Sequence, residues 1–283
     1  MSALPPRPAS VPPLDPQRYA PSAERPLRAK ARQMAHQMNI QPHEHAWAQL
    51  VFSVAGAVRV SARHAGADSS YLVPPARAVW IPPGVVHAVT AVEQADLRTL
   101  YLGEPAVQAL AARSPGGGWR HCRVLEVSAL LRELVLQLAA CADDPLAGAA
   151  ARQRDAAITT LVVDELAQAR ALPLGLPLPS GPRLRRMCEA MLEQPLRHPD
   201  IEGWAAEAAT SPRTLSRWFR DELGTSYAQW RQQLLLARAL QLAARKQPMQ
   251  LIAAELGYAS PSAFSAMVTR AVGMPPSRFF AEA

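Results

Sequence analysis

The 283-residue sequence predicts an α+β multidomain chain: a small β-barrel first, a helical hairpin next, and an all-α segment last. Three observations carry that prediction. Within residues 31–115, short runs rich in Val, Leu, Trp and Tyr (WAQLVFSV, AVRVSAR, AVWIPP, HAVTAV, LRTLYL) are separated by Gly, Pro, Asp and Ser. That is the pattern of many short strands in a barrel or sandwich. Beyond residue 183, leucine and aromatic positions recur at helical intervals instead. Proline-rich stretches at 1–30 and 173–182 fall where boundaries are needed.

Composition narrows the class. With 49% hydrophobic and 19% charged residues the chain has the make-up of globular domains, and its length allows two cores. Apolar runs are broken by charges well short of the roughly 20 residues of a bilayer span, so no membrane partner is expected. The N-terminus, MSALPPRPASVPPLDP, has no apolar core of a signal peptide. Cys122, Cys141 and Cys188 are widely spaced and unpaired in pattern, which implies reduced thiols and a cytoplasmic protein without a cysteine zinc site. A net charge of +7 and a pI near 9.9 permit a polyanionic partner. An arginine-rich composition also follows from a GC-rich genome, so charge alone decides nothing.

Taken in order, residues 1–30 hold eight prolines and few large apolar side chains, and are expected to be a disordered tail. Residues 31–115 form the barrel, and SPGGGW at 114–119 is a turn or joint. Residues 120–172 make the hairpin. Its first helix, 128–142, sets Leu130, Leu131, Leu134, Val135 and Leu138 on one face; its second, 150–171, repeats the spacing with Ile158, Leu161, Val162, Glu165 and Leu166. DDPLAG supplies the break. Such a hairpin either packs back on the barrel or offers a homodimer surface. PLGLPLPSGP reads as a linker to the last domain, 180–283.

That domain contains one layout twice. In IEGWAAEAATSPRTLSRWFRDELG, a short helix facing inward through Ile201, Trp204, Ala205 and Ala208 is followed by a break at Thr210. Ser211 then supplies an N-cap oxygen and Pro212 the first helical position. Leu215, Trp218, Phe219 and Leu223 form the buried stripe of the next helix, and Gly224 stops it. In QLIAAELGYASPSAFSAMVTRAVG, Leu251, Ile252 and Leu256 face inward and Gly257-Tyr258 make the turn. Ser260-Pro261 open the second helix, which Gly273 ends. Two helix–turn–helix units are therefore joined by SYAQWRQQLLLARALQLAARK, about 20 helical residues or roughly 30 Å. That is near the 34–36 Å between successive major-groove faces on one side of B-DNA. One chain can thus place two recognition helices in neighbouring grooves of double-stranded DNA.

The last 100 residues resemble the AraC/XylS family of transcription activators, through SPRTLSRWFRDELGTSYAQWRQQLLLARALQLA and IAAELGYASPSAFSAMVTRAVGMPPSRF. The resemblance implies a DNA-binding regulator, more usually an activator, that dimerises through its N-terminal part. By position it implies that Arg213, Ser216 and Arg217 contact base edges, with Thr214 beside them, and that Arg220 and Arg231 contact phosphates. The second unit departs from the pattern, with Ala266 in place of a basic residue and Val268 in place of an aromatic. Its exposed face offers Ser262, Ser265 and Thr269, which anchor more than they read.

In the barrel, PHEHAWAQLVFSVAG places His43 and His45 two residues apart, on one face of a strand, with Gln49 four further on. His87 follows a Pro-Gly turn in IPPGVVHAV. The layout resembles the two cupin motifs, with glutamine where a glutamate is usual. Imidazoles and a carboxamide oxygen suit Zn, Ni, Fe or Cu. A metal-free pocket for an organic effector and purely structural histidines stand as alternatives. Trp47 and Trp80 are candidate effector contacts, although a large aromatic in a small barrel also serves as plain core.

The leading function is a transcription regulator controlled by a small-molecule or metal effector. From another class comes a cupin metalloenzyme (oxygenase or isomerase) fused to a DNA-binding module. It needs an acid or base near the metal, and Glu44 alternates away from the histidines.

Overall fold

A computed structural model describes residues 10–13, 17–114, 116, 118–140 and 148–280. The chain divides into two compact units: residues 1–62 with 73–172, and residues 63–72 with 173–283.

The first unit is built from β1 (Ser10–Val11), β2 (Leu27–Met34), β3 (Asn39–His43), β4 (Ala48–Ala55), β5 (Val58–His64), β6 (Ala67–Val73), β7 (Arg77–Ile81), β8 (Val86–Ala91) and β9 (Ala95–Leu102), although most of β6 belongs to the second unit. Then come α1 (Glu104–Arg113), β10 (Arg123–Glu126), α2 (Ala129–Ala140), α3 (Ala149–Gln168) and β11 (Ala171–Leu172). One sheet runs β11-β10-β7-β4-β9-β2, and facing strands run β1-β3-β8-β5. Alternation divides the first sheet cleanly. Leu50, Phe52, Ala78, Trp80, Leu100 and Leu102 turn outward and form one core with Leu131, Val135, Ile158, Val162 and Leu166 of the hairpin. Gln49, Val51, Val79, Ile81, Thr99 and Tyr101 turn inward, as their pairings Gln49–Ile81, Gln49–Tyr101 and Val51–Thr99 require.

The hairpin therefore packs back on the barrel. Leu130 and Leu161, expected on its buried faces, are 47% and 45% exposed, and Val163 is buried instead. Each lies at the margin of an apolar stripe, where a rotation of the helix by a fraction of a turn decides burial. Most of DDPLAG, with Cys141, lies outside the described residues, as do 1–9 and 14–16 of the tail. The described part of that tail is structured. Ser10 and Val11 pair in parallel with Asn39 and Ile40, Gln17–Tyr19 form a 3-10 turn, and Leu27–Lys30 begin β2.

The second unit pairs β6 with β12 (Gly175–Leu178), Tyr71 opposite Gly175. Here the expected linker is a strand. Leu174, Leu176 and Leu178 alternate and are buried, and Pro177, which has no N–H to give, accepts a bond from Trp230 Nε1 at 2.8 Å. Helices α4 (Pro182–Glu193), α5 (Ile201–Glu207), α6 (Pro212–Leu223), α7 (Tyr227–Ala244), α8 (Met249–Glu255), α9 (Pro261–Val272) and α10 (Pro276–Phe279) complete it. Leu176, Met187, Trp204, Leu215, Phe219 and Trp230 share its core.

Candidate sensor centre and nucleic-acid interface

His43 closes β3, directly opposite His87 on β8, and the register slips between Ile40 and His43. His45 lies just before β4. Its carbonyl accepts a 2.9 Å bond from Gly84 N–H, so the Pro-Gly turn preceding His87 also pins His45. Gly84 has φ +72°, a conformation that favours glycine. The ring centroids of His43 and His87 are 4.3 Å apart, those of His45 and His87 5.2 Å. One nitrogen from each of the three rings lies within 4.8 Å of the others.

Each ring is oriented by its own backbone. The Nδ1 atoms of His43, His45 and His87 bond the carbonyls of Gln41 (2.8 Å), Trp47 (2.7 Å) and Val85 (2.9 Å). A carbonyl cannot donate, so each Nδ1 carries the proton and each neutral ring presents a bare Nε2. Burial, the largest influence on all three, lowers their affinity for a second proton and brings His87 down to about 3. Gln49 Oε1 lies 2.6 Å from His45 Nε2 and 3.0 Å from His87 Nε2. With both nitrogens bare, those contacts set acceptor against acceptor. Either the amide turns end for end and donates, or a cation joins the four atoms.

Trp47 stacks on His45 at 5.0 Å with an interplanar angle of 4°, and its buried indole N–H has no hydrogen-bond partner among the described residues. It also lines a cavity of about 350 Å³ with Pro83, Leu102, Glu104 and Val107. Trp80 is a different matter. It is fully buried on the outward face, its Nε1–H donates to the Trp119 carbonyl at 2.9 Å, and it packs in the core under the hairpin. Since it pairs with Leu50 and not Gln49, it cannot face the histidines.

The sequence reading missed β2. Arg28, Lys30 and Arg32 alternate along the strand and pair with Tyr101, Thr99 and Leu97, so they share the inward face. Lys30 Nζ lies 5.0 Å from the Tyr101 ring centroid and 5.2 Å from that of Tyr19. Tyr101 in turn meets His45 edge-on at 5.5 Å. Burial, aided by Arg32, brings the Lys30 ammonium down to about 8.

In the second unit, the Ser211 hydroxyl accepts from Thr214 N–H at 3.1 Å and Ser260 from Ala263 N–H at 3.2 Å, each with proline at the first helical position. Gly224 and Gly273 close the helices with φ of 63° and 70°. On α6, Arg213, Thr214, Ser216, Arg217 and Arg220 line one concavity of about 380 Å³. The Thr214 hydroxyl lies 3.0 Å from that of Ser211, so it belongs to the cap as much as to the surface. On α9, Ser262, Ala266 and Thr269 are exposed and Ser265 half-buried. Leu251, expected to face inward on α8, is 55% exposed, while Ile252 and Ala253 are buried. Helix α7 has 18 residues, about 27 Å long, and begins with a reciprocal cap between Ser226 and Gln229. Arg231 lies on its flank, in a cleft of about 630 Å³ shared with Tyr258, read from the sequence only as a turn residue, and Arg270, which the sequence reading did not single out.

Fold and surface define a class, a DNA-binding regulator that carries its own ligand-binding domain. Residues 204–282 match the family described as a helix-turn-helix domain, and residues 25–161 match the AraC-like ligand binding domain. The chain belongs to the AraC family of transcription regulators. It is 34% identical over 239 residues to the HTH-type transcriptional regulator NimR of Escherichia coli (strain K12), covering 84% of this chain and 81% of that one. It is 28% identical to the HTH-type transcriptional regulator RipA of Corynebacterium glutamicum over 103 residues, 36% of this chain and 31% of that one. Among solved structures, ToxT from Vibrio cholerae matches 90% of this chain and 98% of its own at 9% identity, with a TM-score of 0.36. No helix among the described residues is long and apolar enough to cross a membrane.

Proposed function

We propose that this AraC-family regulator senses its effector at a divalent transition-metal centre held by His43, His45, Gln49 and His87. One observation carries the reading: three backbone carbonyls hold the three Nδ1 protons and leave each ring a bare Nε2, and one nitrogen from each ring lies within 4.8 Å of the other two. Histidine ligands characteristically give their second ring N–H to such a partner. Turning the Gln49 amide satisfies His45 and His87 but leaves His43 Nε2 without a hydrogen bond among the described residues. Donors about 2.1 Å from one tetrahedral ion lie about 3.4 Å apart, so a cluster whose nitrogens lie within 4.8 Å of one another closes inward by up to roughly 1.4 Å to hold a metal. Zn, Ni, Fe and Cu fit this nitrogen-rich set, and the metal when bound supplies a Lewis-acidic point for an effector.

In this reading the centre binds and does not turn over substrate. Glu44 is exposed, and no Asp or Glu joins the three histidines as a candidate ligand among the described residues. Arg213, Ser216 and Arg217 read base edges, Arg220 and Arg231 bind phosphate, and Ser262, Ser265 and Thr269 anchor the second helix. The protein acts in the cytoplasm as a homodimeric activator, its contact drawing on Leu130 and Leu161, the exposed leucines of the hairpin.

Plasma mass spectrometry of tag-free protein tests the centre. Near-stoichiometric metal is expected in the wild type and little in the His43→Ala/His87→Ala double variant. No metal after incubation with all four ions would leave the barrel a metal-free pocket.

A further inference from the structure

Residues 63–72 fall inside the stretch that matches the AraC-like ligand binding domain, yet they form one compact unit with residues 173–283. The cause is β12, which is attached in two ways. Its backbone pairs with β6, from Gly175 opposite Tyr71 to Leu178 opposite Asp68. Its side chains Leu176 and Leu178 lie in the helical core with Met187 of α4, Leu215 and Phe219 of α6, and Trp230. Pro177 has no N–H for a second ladder, and β6 is the one strand partner of β12 among the described residues. Where the chain leaves this ladder, Asp68 forms a clip. Its carboxylate accepts from Arg63 Nε at 2.7 Å and Arg63 Nη2 at 3.1 Å, and also from Arg185 Nη1 on α4, 117 residues away in sequence. Arg185 pairs in turn with Glu189 at 3.0 Å, which holds its side chain along α4. Just before α4, Gly181 N–H donates to Glu222 of α6 at 2.9 Å, and a Cβ at position 181 would lie 2.5 Å from that carboxylate.

A helix is seated by the elements it packs against, and a close-packed interior passes a displacement on to its neighbours. Helix α6 takes its seat from α4 and β12, and both of these are tied to β6. We propose that Asp68 is a positioning residue for DNA recognition. Through Arg185 it fixes α4, and with the β6–β12 ladder it sets the pose in which α6 presents Arg213, Ser216 and Arg217. An acid repels phosphate, so its contribution to DNA binding runs through the residues it holds. The proposal rests on α6 being the reading helix. It adds that discrimination depends on a strand outside the helix-turn-helix match at 204–282.

The test uses the full-length protein on DNA enriched from a random-sequence pool, with a scrambled site as reference, read by anisotropy at fixed salt. Asp68→Ala and Arg185→Gln are each expected to lower the enriched-to-scrambled affinity ratio roughly three- to tenfold, within the range that a change remote from a ligand produces. The double variant should lose no more than the larger single loss, because both substitutions break one contact. Arg63→Gln removes the other partner of Asp68 but no link to α4, and should keep the ratio within about twofold. With Asp68→Ala, affinity for the scrambled site should hold or rise, since an acid is lost. Equal weakening on both sites marks a merely structural role and overturns the inference. So does an unchanged ratio at Asp68 and Arg185, additivity of their losses, or an equal loss in Arg63→Gln. Thermal melts establish that each variant is folded at the assay temperature, and Asp68→Asn replaces Asp68→Ala if the latter is not. Arg217→Ala is run beside them. If it keeps full discrimination, the reading role of α6 fails; if it loses discrimination while the Asp68 and Arg185 variants do not, the clip alone fails.

Discussion

Helices α6 and α9 are each twelve residues long, opened by a Ser–Pro pair and closed by a left-handed glycine. Their buried faces are also alike: Leu215 and Phe219 in one, Phe264 and Val268 in the other. Outside, they differ sharply. On α6, three arginines share one concavity, whereas the outer face of α9 presents Ser262, Ala266 and Thr269, and Thr269 turns its hydroxyl back to the Ser265 carbonyl at 3.0 Å. Capping and core spacing are thus set by local chemistry that leaves the outer face free to vary. In the function proposed above, one scaffold used twice in a chain serves as one reading helix and one anchoring helix.

The largest effect that can break this comparison is expected at Arg217. On DNA enriched from a random-sequence pool by the wild type, Arg217→Ala should lose about 1–3 kcal/mol of discrimination against a scrambled site, the worth of one bidentate base contact. Equal loss from Ser265→Ala would make α9 a reader too. Next come Arg220→Gln and Arg231→Gln. Each should lower the slope of log affinity against log salt by about one, with discrimination unchanged. Anisotropy titrations at several salt concentrations measure both quantities.

Removing the caps sharpens the shared part of the comparison. Ser211→Ala and Ser260→Ala should each cost about 1 kcal/mol in denaturant unfolding, with similar values at the two sites. A cost at one site only would mean that the scaffolds are not equivalent. The smallest effect belongs to Ser265→Ala, whose affinity for the enriched site should stay near that of the wild type.

Legibility in the sequence followed the range of the physics involved. Ser211-Pro212 and Ser260-Pro261 were readable because an N-cap involves four consecutive residues. The histidine motif was readable as a pattern of residue types, but its geometry was not: His43 ends β3 and His45 lies in the connection before β4, so the expected spacing of two along one strand does not hold. Trp80 was not, since its side depends on pairing with Leu50, thirty residues away, and that register appears nowhere in local pattern. Leu130, Leu161 and Leu251 sit at stripe margins, where only the finished packing decides. The alternation of Arg28, Lys30 and Arg32 was present in LRAKARQM, but an expected boundary at residue 30 cut through β2 and hid it.

The opposite facing of Gln49 and Trp80 has a mechanical meaning. Strands β4, β7 and β9 act as a diaphragm one backbone thick, loaded from inside by whatever fills the barrel and seated outside against α2 and α3. Interiors packed to crystal density do not absorb displacement locally. In the function proposed above, an effector that fills the inner chamber would press on Leu50, Trp80 and Leu100 through the same strands, and so on the helices that carry Leu130 and Leu161 to the surface. Occupancy of the chamber and the set of the hairpin are two readings of one membrane-thin wall.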